Sequence, residues 1–327
     1  MKDIQVQFDE RLELLTVLFY MTDYKEKLQF FVNLQEEDEY SLYKKILTTF
    51  ENTDLSAMTK PFQQLLETEN FGFDAPIHLF LDIFPDFTSY YLEEELFEIR
   101  LRKNPLVVEL MEAVLAFGKS DEWKQFYNSN QKFYQNVLDG LENLDVSKTF
   151  QMMRRLYDNP MWEGKEYSVL LMSGTTAGNY GMHVENTVYC VSGLENGTWY
   201  LDGDPTIVIH EFSHSMINPM TDRYLKKEYA EDRTLFADIA DKMERIGYSD
   251  DTVIVINEYM VRSVECCYYK YYLPEEFEQK VQWEIESGFK DIVFLVEKYL
   301  KFLEERQCDF QKFYIQTLVE FVLYLKK

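Results

Sequence analysis

The sequence predicts an α+β protein dominated by helix, with a small sheet beside a histidine-bearing helix and helical lobes on both sides. Three observations lead there. Glycine (12) and proline (8) are scarce in 327 residues, which disfavours a turn-rich all-β chain. Apolar residues recur at helical spacing from Asp9 to about Tyr157, and again in the last third of the chain. Between them lies one β-rich stretch, residues 167–201. Hydrophobic residues make up 46% of the chain and aromatics 16%. That is enough for a large core or two lobes, since single cores stop growing near roughly 250–300 residues. We expect a helical lobe over 1–155 and a mixed region over 156–327.

In chain order, RLELLTVLFYMTDYKEKLQFFVNL and NPLVVELMEAVLAFGKSDEWKQFYNSNQKFYQNVLDGL carry apolar stripes opposite charged faces. Both read as packed helices. YSVLLMS and NTVYCVS are β-rich runs separated by glycine-bearing loops, and Glu195-Asn196-Gly197 suggests a turn into a third short strand. A bounded helix follows from Pro205 to about Ile217, with Asp204 as cap, Pro205 in the first turn and Pro219 as terminator. Helical periodicity resumes in LFADIADKMERIG, in TVIVINEYMVRSVECCYYKYYL, and from Asp291 to the end.

The formal net charge is −25. Such a surface repels nucleic acid and anionic membranes. The opening MKDIQVQFDERLELL has no basic region followed by an apolar run, and no stretch approaches the ~20 apolar residues of a membrane span. Cys190, Cys266, Cys267 and Cys308 do not make a disulfide framework, because adjacent cysteines cannot form an ordinary bridge with each other. A cytoplasmic protein with reduced thiols is the expectation.

The chemistry concentrates in TIVIHEFSHSMINP, residues 206–219. His210 and His214 are four apart and share one helix face, so both imidazoles can address one ion. Glu211 sits beside that face, within reach of a metal-activated water. This is the physical content of H-E-x-x-H: two zinc ligands and a general base. The flanks Ile207, Val208, Ile209, Phe212 and Met216 are those of a core helix, where unpaired polar groups are expensive and a divalent cation resolves the expense. A catalytic zinc takes three protein ligands. Among the downstream acids Glu258 stands out as a lone carboxylate in an apolar helix. Arg262 and Glu265 share its face and either orient it or form a buried Glu–Arg–Glu ladder with no metal.

HEFSH followed by a helix containing Ile256-Asn257-Glu258 resembles the gluzincin metallopeptidases. The resemblance implies a zincin-like core, one zinc held by His210, His214 and Glu258, and Glu211 as base. It also implies that SGTTAGNYGMHVENTVYCV runs along the cleft and pairs with extended peptide, Gly178 and Gly181 letting substrate approach. Two features depart from the gluzincin pattern. The spacing from His214 to Glu258 is long, so extra helix must intervene. Arg262 stands where thermolysin-like enzymes carry an acid that supports a ligand histidine. More closely, Glu10-Arg11-Leu12-Glu13-Leu14-Leu15, HEFSHSMINP and NEYMVRSV together are similar to a bacterial zincin-like family, the domain of unknown function 4932.

The expected activity is a zinc-dependent hydrolase, a metallopeptidase acting on peptide or protein substrates. The oxyanion donor is open among His183, Arg262, Tyr180, Tyr268 and Tyr269. Two rival readings stand beside it: a catalytically silent zincin-fold binding or regulatory protein, and a metal-free helical protein.

Overall fold

Helix dominates because the apolar stripes find partners, and the sheet forms where β-branched residues cluster. The computed structural model describes residues 6–24, 41–68, 70–71, 74–141, 146–158, 164–176, 178–195, 198–199, 206–245 and 251–326. By contacts the chain divides into two compact units. The first comprises residues 1–144, 167–180 and 184–204; the second comprises 145–166, 181–183 and 205–327. The β-rich run 167–173 therefore groups with the N-terminal helices, and the helix Ser147–Leu156 groups with the C-terminal ones.

The first unit is built around Glu10–Met21, a helix buried on all sides. Leu12, Leu14, Leu15, Val17 and Leu18 have no exposed surface. A helix with no wet face must satisfy its charges internally. Arg11 donates to the Asp9 carboxylate and to the carbonyls of Leu81 and Ile83. Glu13 accepts from the Ser173 amide and hydroxyl and from the Tyr134 hydroxyl. Burial pushes the Glu13 carboxyl up to about 7, with those donors pulling the other way. Shorter helices, Ser56–Leu66, Ala75–Leu81, Pro105–Gly118, Asp121–Ser129 and Gln131–Gly140, pack in the same unit.

The sheet runs β1 (Val6–Phe8), β2 (Glu166–Thr176), β4 (Thr187–Glu195), β3 (Asn179–Val184), with β5 (Thr198–Trp199) also on β4. β1 is parallel to β2, Gln7 opposite Leu170. β5 is antiparallel to the end of β4, Leu194 opposite Trp199, as the turn signal predicts. β1 and β3 were not legible as strands: one is three residues long, and the other is interrupted by Gly181 in a segment read as loop.

The second unit holds the long helices Ile207–Tyr224 and Thr252–Tyr272, joined through the short Lys227–Ala230 and Ala240–Arg245, then Phe277–Ser287, Ile292–Glu305 and Phe310–Leu325. Two expectations are corrected here, at Pro219 and at LFADI. Pro219 does not end its helix, which runs to Tyr224. Met220 and Thr221 beyond it are buried, and Thr221 hydrogen-bonds to Asn257 and Tyr314, so tertiary packing outweighs the missing amide, a cost of about 3 kcal/mol. LFADI forms successive turns, and helix begins only at Ala240. Asp232 accepts from the Thr234 amide and hydroxyl, a local arrangement that competes with helix. The C-terminal run is two helices, broken where Arg306 adopts φ 39° and Asp309 caps the next by accepting from the Lys312 amide. Among the described residues no helix is long and apolar enough to cross a membrane. All four cysteines are free, and three are buried.

Candidate metal centre

The helix carrying the motif starts at Ile207, with Thr206 at the N-cap position; the predicted Asp204 cap and Pro205 lie outside the described residues. Thr206 supplies no side-chain cap, and its hydroxyl instead reaches Glu265, at 3.3 Å. One turn on, His210 and His214 present their Nε2 atoms to each other at 3.1 Å. Each ring is fixed from behind. His210 Nδ1 meets the Glu265 carboxylate, and His214 Nδ1 meets Asn218 Oδ1 at 3.1 Å. Both partners are oxygen acceptors, so both Nδ1 atoms carry the ring proton. When both rings are neutral, their Nε2 lone pairs are directed into one point.

Glu258 completes that point from the neighbouring helix. Its Oε1 lies 3.3 Å from His214 Nε2, and its Oε2 lies 3.7 Å from His210 Nε2. The register is set on both sides of it. Asp251 caps the helix by accepting from the Val253 amide at 2.8 Å. Asn257, one residue before the ligand candidate, accepts from Thr221 of the motif helix, which also meets the Tyr314 hydroxyl. Among the described residues, His210, His214 and Glu258 form the group whose ligand atoms come together, all within 4.8 Å.

Zinc bonds of about 2.0–2.1 Å in a tetrahedron separate neighbouring ligand atoms by roughly 3.3 Å. The 3.1 Å between the imidazoles and the 3.3 Å from His214 to Glu258 Oε1 match that edge, whereas the 3.7 Å from His210 runs to the other carboxylate oxygen, so the third edge is more open, within 4.8 Å. The donor set, two neutral imidazoles and a carboxylate, is also that of zinc sites with an open fourth position. The residues present therefore fit the metal.

Around the three lies a buried ionic chain. Arg262 Nε donates to Glu258 at 3.2 Å and an Nη donates to Glu284 at 3.0 Å, while the guanidinium lies 4.5 Å from the Phe289 ring centre. Lys280 pairs with Glu265 and with Glu284. Burial alone disfavours every charge here, and the pairing decides where that is reversed. Burial raises Glu211 above the ordinary carboxyl range, the two imidazoles opposing it. Glu258 and Glu265 are buried too, yet the histidines, Arg262 and Lys280 hold both well below it. Burial likewise disfavours a charged His210, but Glu265, then Glu258 and Glu211, raise it to about 9.

Of the residues singled out from sequence, His210, His214 and Glu258 converge, and Glu211 is buried beside them at 7% exposure. Arg262 supports Glu258, as expected. Glu265 does not: it supports His210. His183 is on the exposed side of β3, in the same unit as the motif helix. Gly181, two residues before it, does not leave room for substrate. A Cβ there would lie 2.2 Å from the Glu211 carbonyl oxygen, so the glycine lets strand and motif helix touch. A Cβ at Gly178 would meet the Tyr180 hydroxyl at 2.7 Å. Tyr268 is buried, and the Tyr269 ring lies against Lys280. Sequence reasoning missed Asn218, Lys280 and Glu284. The first had a usable signal, an amide at i+4 from a ligand histidine.

The family described as Domain of unknown function (DUF4932) matches residues 91–317. The chain belongs to this family. The match spans both histidines, Glu258, Arg262, Glu265, Lys280 and Glu284, and leaves out the Glu10–Leu15 stretch. Comparison with curated proteins and with solved structures found no match.

Proposed function

We propose that this member of the DUF4932 family is a zinc-dependent hydrolase with a gluzincin-like site, cleaving peptide bonds. The observation that carries the reading is the meeting of two imidazole Nε2 atoms at 3.1 Å with a carboxylate oxygen 3.3 Å from one of them. Both Nδ1 atoms face oxygen acceptors, so with neutral rings both Nε2 lone pairs face the same point. Two bare acceptors at that distance repel, so either a proton held by His210 or a metal ion lies between them.

His210, His214 and Glu258 would hold the zinc, which when bound would supply Lewis acidity toward a water and the scissile carbonyl. Glu211 takes the proton of the attacking water and delivers it to the leaving amine. A raised carboxyl proton affinity suits that shuttle. Arg262 is committed to Glu258 and Glu284, so its part is positioning. His183, exposed on β3, is the donor we assign to the developing oxyanion.

Elemental analysis of purified protein should return about one zinc per chain. With a peptide library as substrate, Glu211→Gln should keep the zinc and lose about 10²–10⁴-fold in rate. Full activity in that variant removes Glu211 from the mechanism. Zinc without turnover in the native protein leaves the silent, binding form of the same site.

A further inference from the structure

The helix Phe277–Ser287, FEQKVQWEIES, is rich in charge, yet its two innermost side chains are a charged pair. Lys280 is 7% exposed and Glu284 is wholly buried. They are one turn apart and their charged ends meet at 2.9 Å. Lys280 also holds Glu265, the acceptor of the His210 Nδ1 proton. Glu284 also holds Arg262, the donor to Glu258. Two continuous chains thus run from this helix to the convergence point: Lys280–Glu265–His210 and Glu284–Arg262–Glu258. The Lys280 ammonium is covered by the Trp283 ring at 4.7 Å and the Tyr269 ring at 5.6 Å.

We propose that the helix Phe277–Ser287 is a positioning element of the metal centre, with Lys280 and Glu284 as its positioning residues. They fix the two side chains that in turn orient His210 and Glu258. Burying an ion pair is a weak source of stability, since desolvation offsets the attraction. A pair placed to share one partner with each of two ligands has a geometric use instead: it restricts the ligand rotamers, and outer partners of this kind are worth about 10–100-fold in metal affinity.

The proposal rests on the metal reading above, and the test separates the two. Zinc affinity is measured by competition with a chromophoric chelator for native protein and for Lys280→Met/Glu284→Gln. The double change leaves the net charge unaltered, so through-space attraction for the cation is preserved and only orientation is lost. The expected result is zinc binding about tenfold to hundredfold weaker, while the thermal transition of the zinc-free protein stays near that of the native chain. Native protein that takes up no zinc overturns the metal reading together with this one. Native protein that binds zinc, with a folded double variant binding equally well, overturns the positioning role alone. Should the double variant lack a cooperative transition, the unaltered protein decides. In proton-exchange NMR, the Lys280 ammonium must exchange with water far more slowly than surface lysines, and exchange at the surface rate overturns the proposal.

Discussion

Replacing Glu13 by Gln should change how stability depends on pH. Glu13 is 2% exposed, and its carboxyl is raised to about 7 from an ordinary value of 4.5. The folded state therefore keeps a proton that the unfolded chain releases above pH 4.5. Between pH 4.5 and 7 the unfolded state binds fewer protons, so stability falls as pH rises, levelling off above 7. At 1.36 kcal/mol per pKa unit, that loss is about 3 kcal/mol. Glutamine keeps the shape and an acceptor for Ser173 without the charge, so it removes the loss. At pH 4 the two proteins should unfold alike. At pH 8 the variant should be more stable by up to about 3 kcal/mol, a thermal shift of several degrees at about 2–4 °C per kcal/mol. Asp82, also raised to about 7 by burial, titrates in both proteins and cancels from the difference. Thermal melts from pH 4 to 8 check this. A native-minus-variant difference that stays flat across that range refutes the assignment of Glu13 as a proton-holding buried acid.

Glu265→Gln should weaken zinc binding about tenfold or more, and Asn218→Ala by less. The first trades a charge-assisted bond to His210 for a neutral one and strands Lys280, whereas the second loses one neutral bond to His214; the two dissociation constants give the order. Gly181→Ala should cost about 1–3 kcal/mol, because its methyl would need the space of the Glu211 carbonyl oxygen; denaturant unfolding measures it. Removing metal with a chelator should lower the unfolding temperature, and restoring zinc at a hundred times its dissociation constant should return about 2.7 kcal/mol.

What was legible in the sequence followed from local geometry. Helix periodicity alone puts His210 and His214 on one face, and a lone carboxylate in VIVINEYMV needed a partner, which singled out Glu258. Partners brought together from distant segments were not legible. Glu265 could orient either ligand, and only the packing of two helices gives it to His210. Lys280 and Glu284 look like the wet face of a charged helix, because burial by neighbours remote in sequence leaves no periodic mark on an eleven-residue segment. Gly181 looked like open space for substrate, since a glycine signals close approach without saying what approaches. β1 is too short to show alternation.

The charges of the centre bear on the proposed divalent ion independently of its distances. Glu211, Glu258, Glu265 and Glu284 contribute four negative charges when ionised, and Arg262 and Lys280 contribute two positive ones, so the six side chains sum to −2. Four of the six, Glu211, Glu258, Glu265 and Lys280, are 4–7% exposed, Glu284 is wholly buried, and Arg262 retains 13% of its side-chain surface. An uncompensated pair of charges at such depth costs several kcal/mol per ion. Without a metal, a proton on His210, which the surrounding carboxylates raise to about 9, and one on Glu211, raised by burial, remove the deficit; a dication would remove it with the two imidazoles neutral. Neutral imidazoles would leave both Nε2 lone pairs free, their remaining protons lying on the Nδ1 atoms that face Glu265 and Asn218. The hydrogen-bond directions and the charge sum are separate constraints on the same point, and the proposed dication would satisfy both by displacing the protons of His210 Nε2 and Glu211.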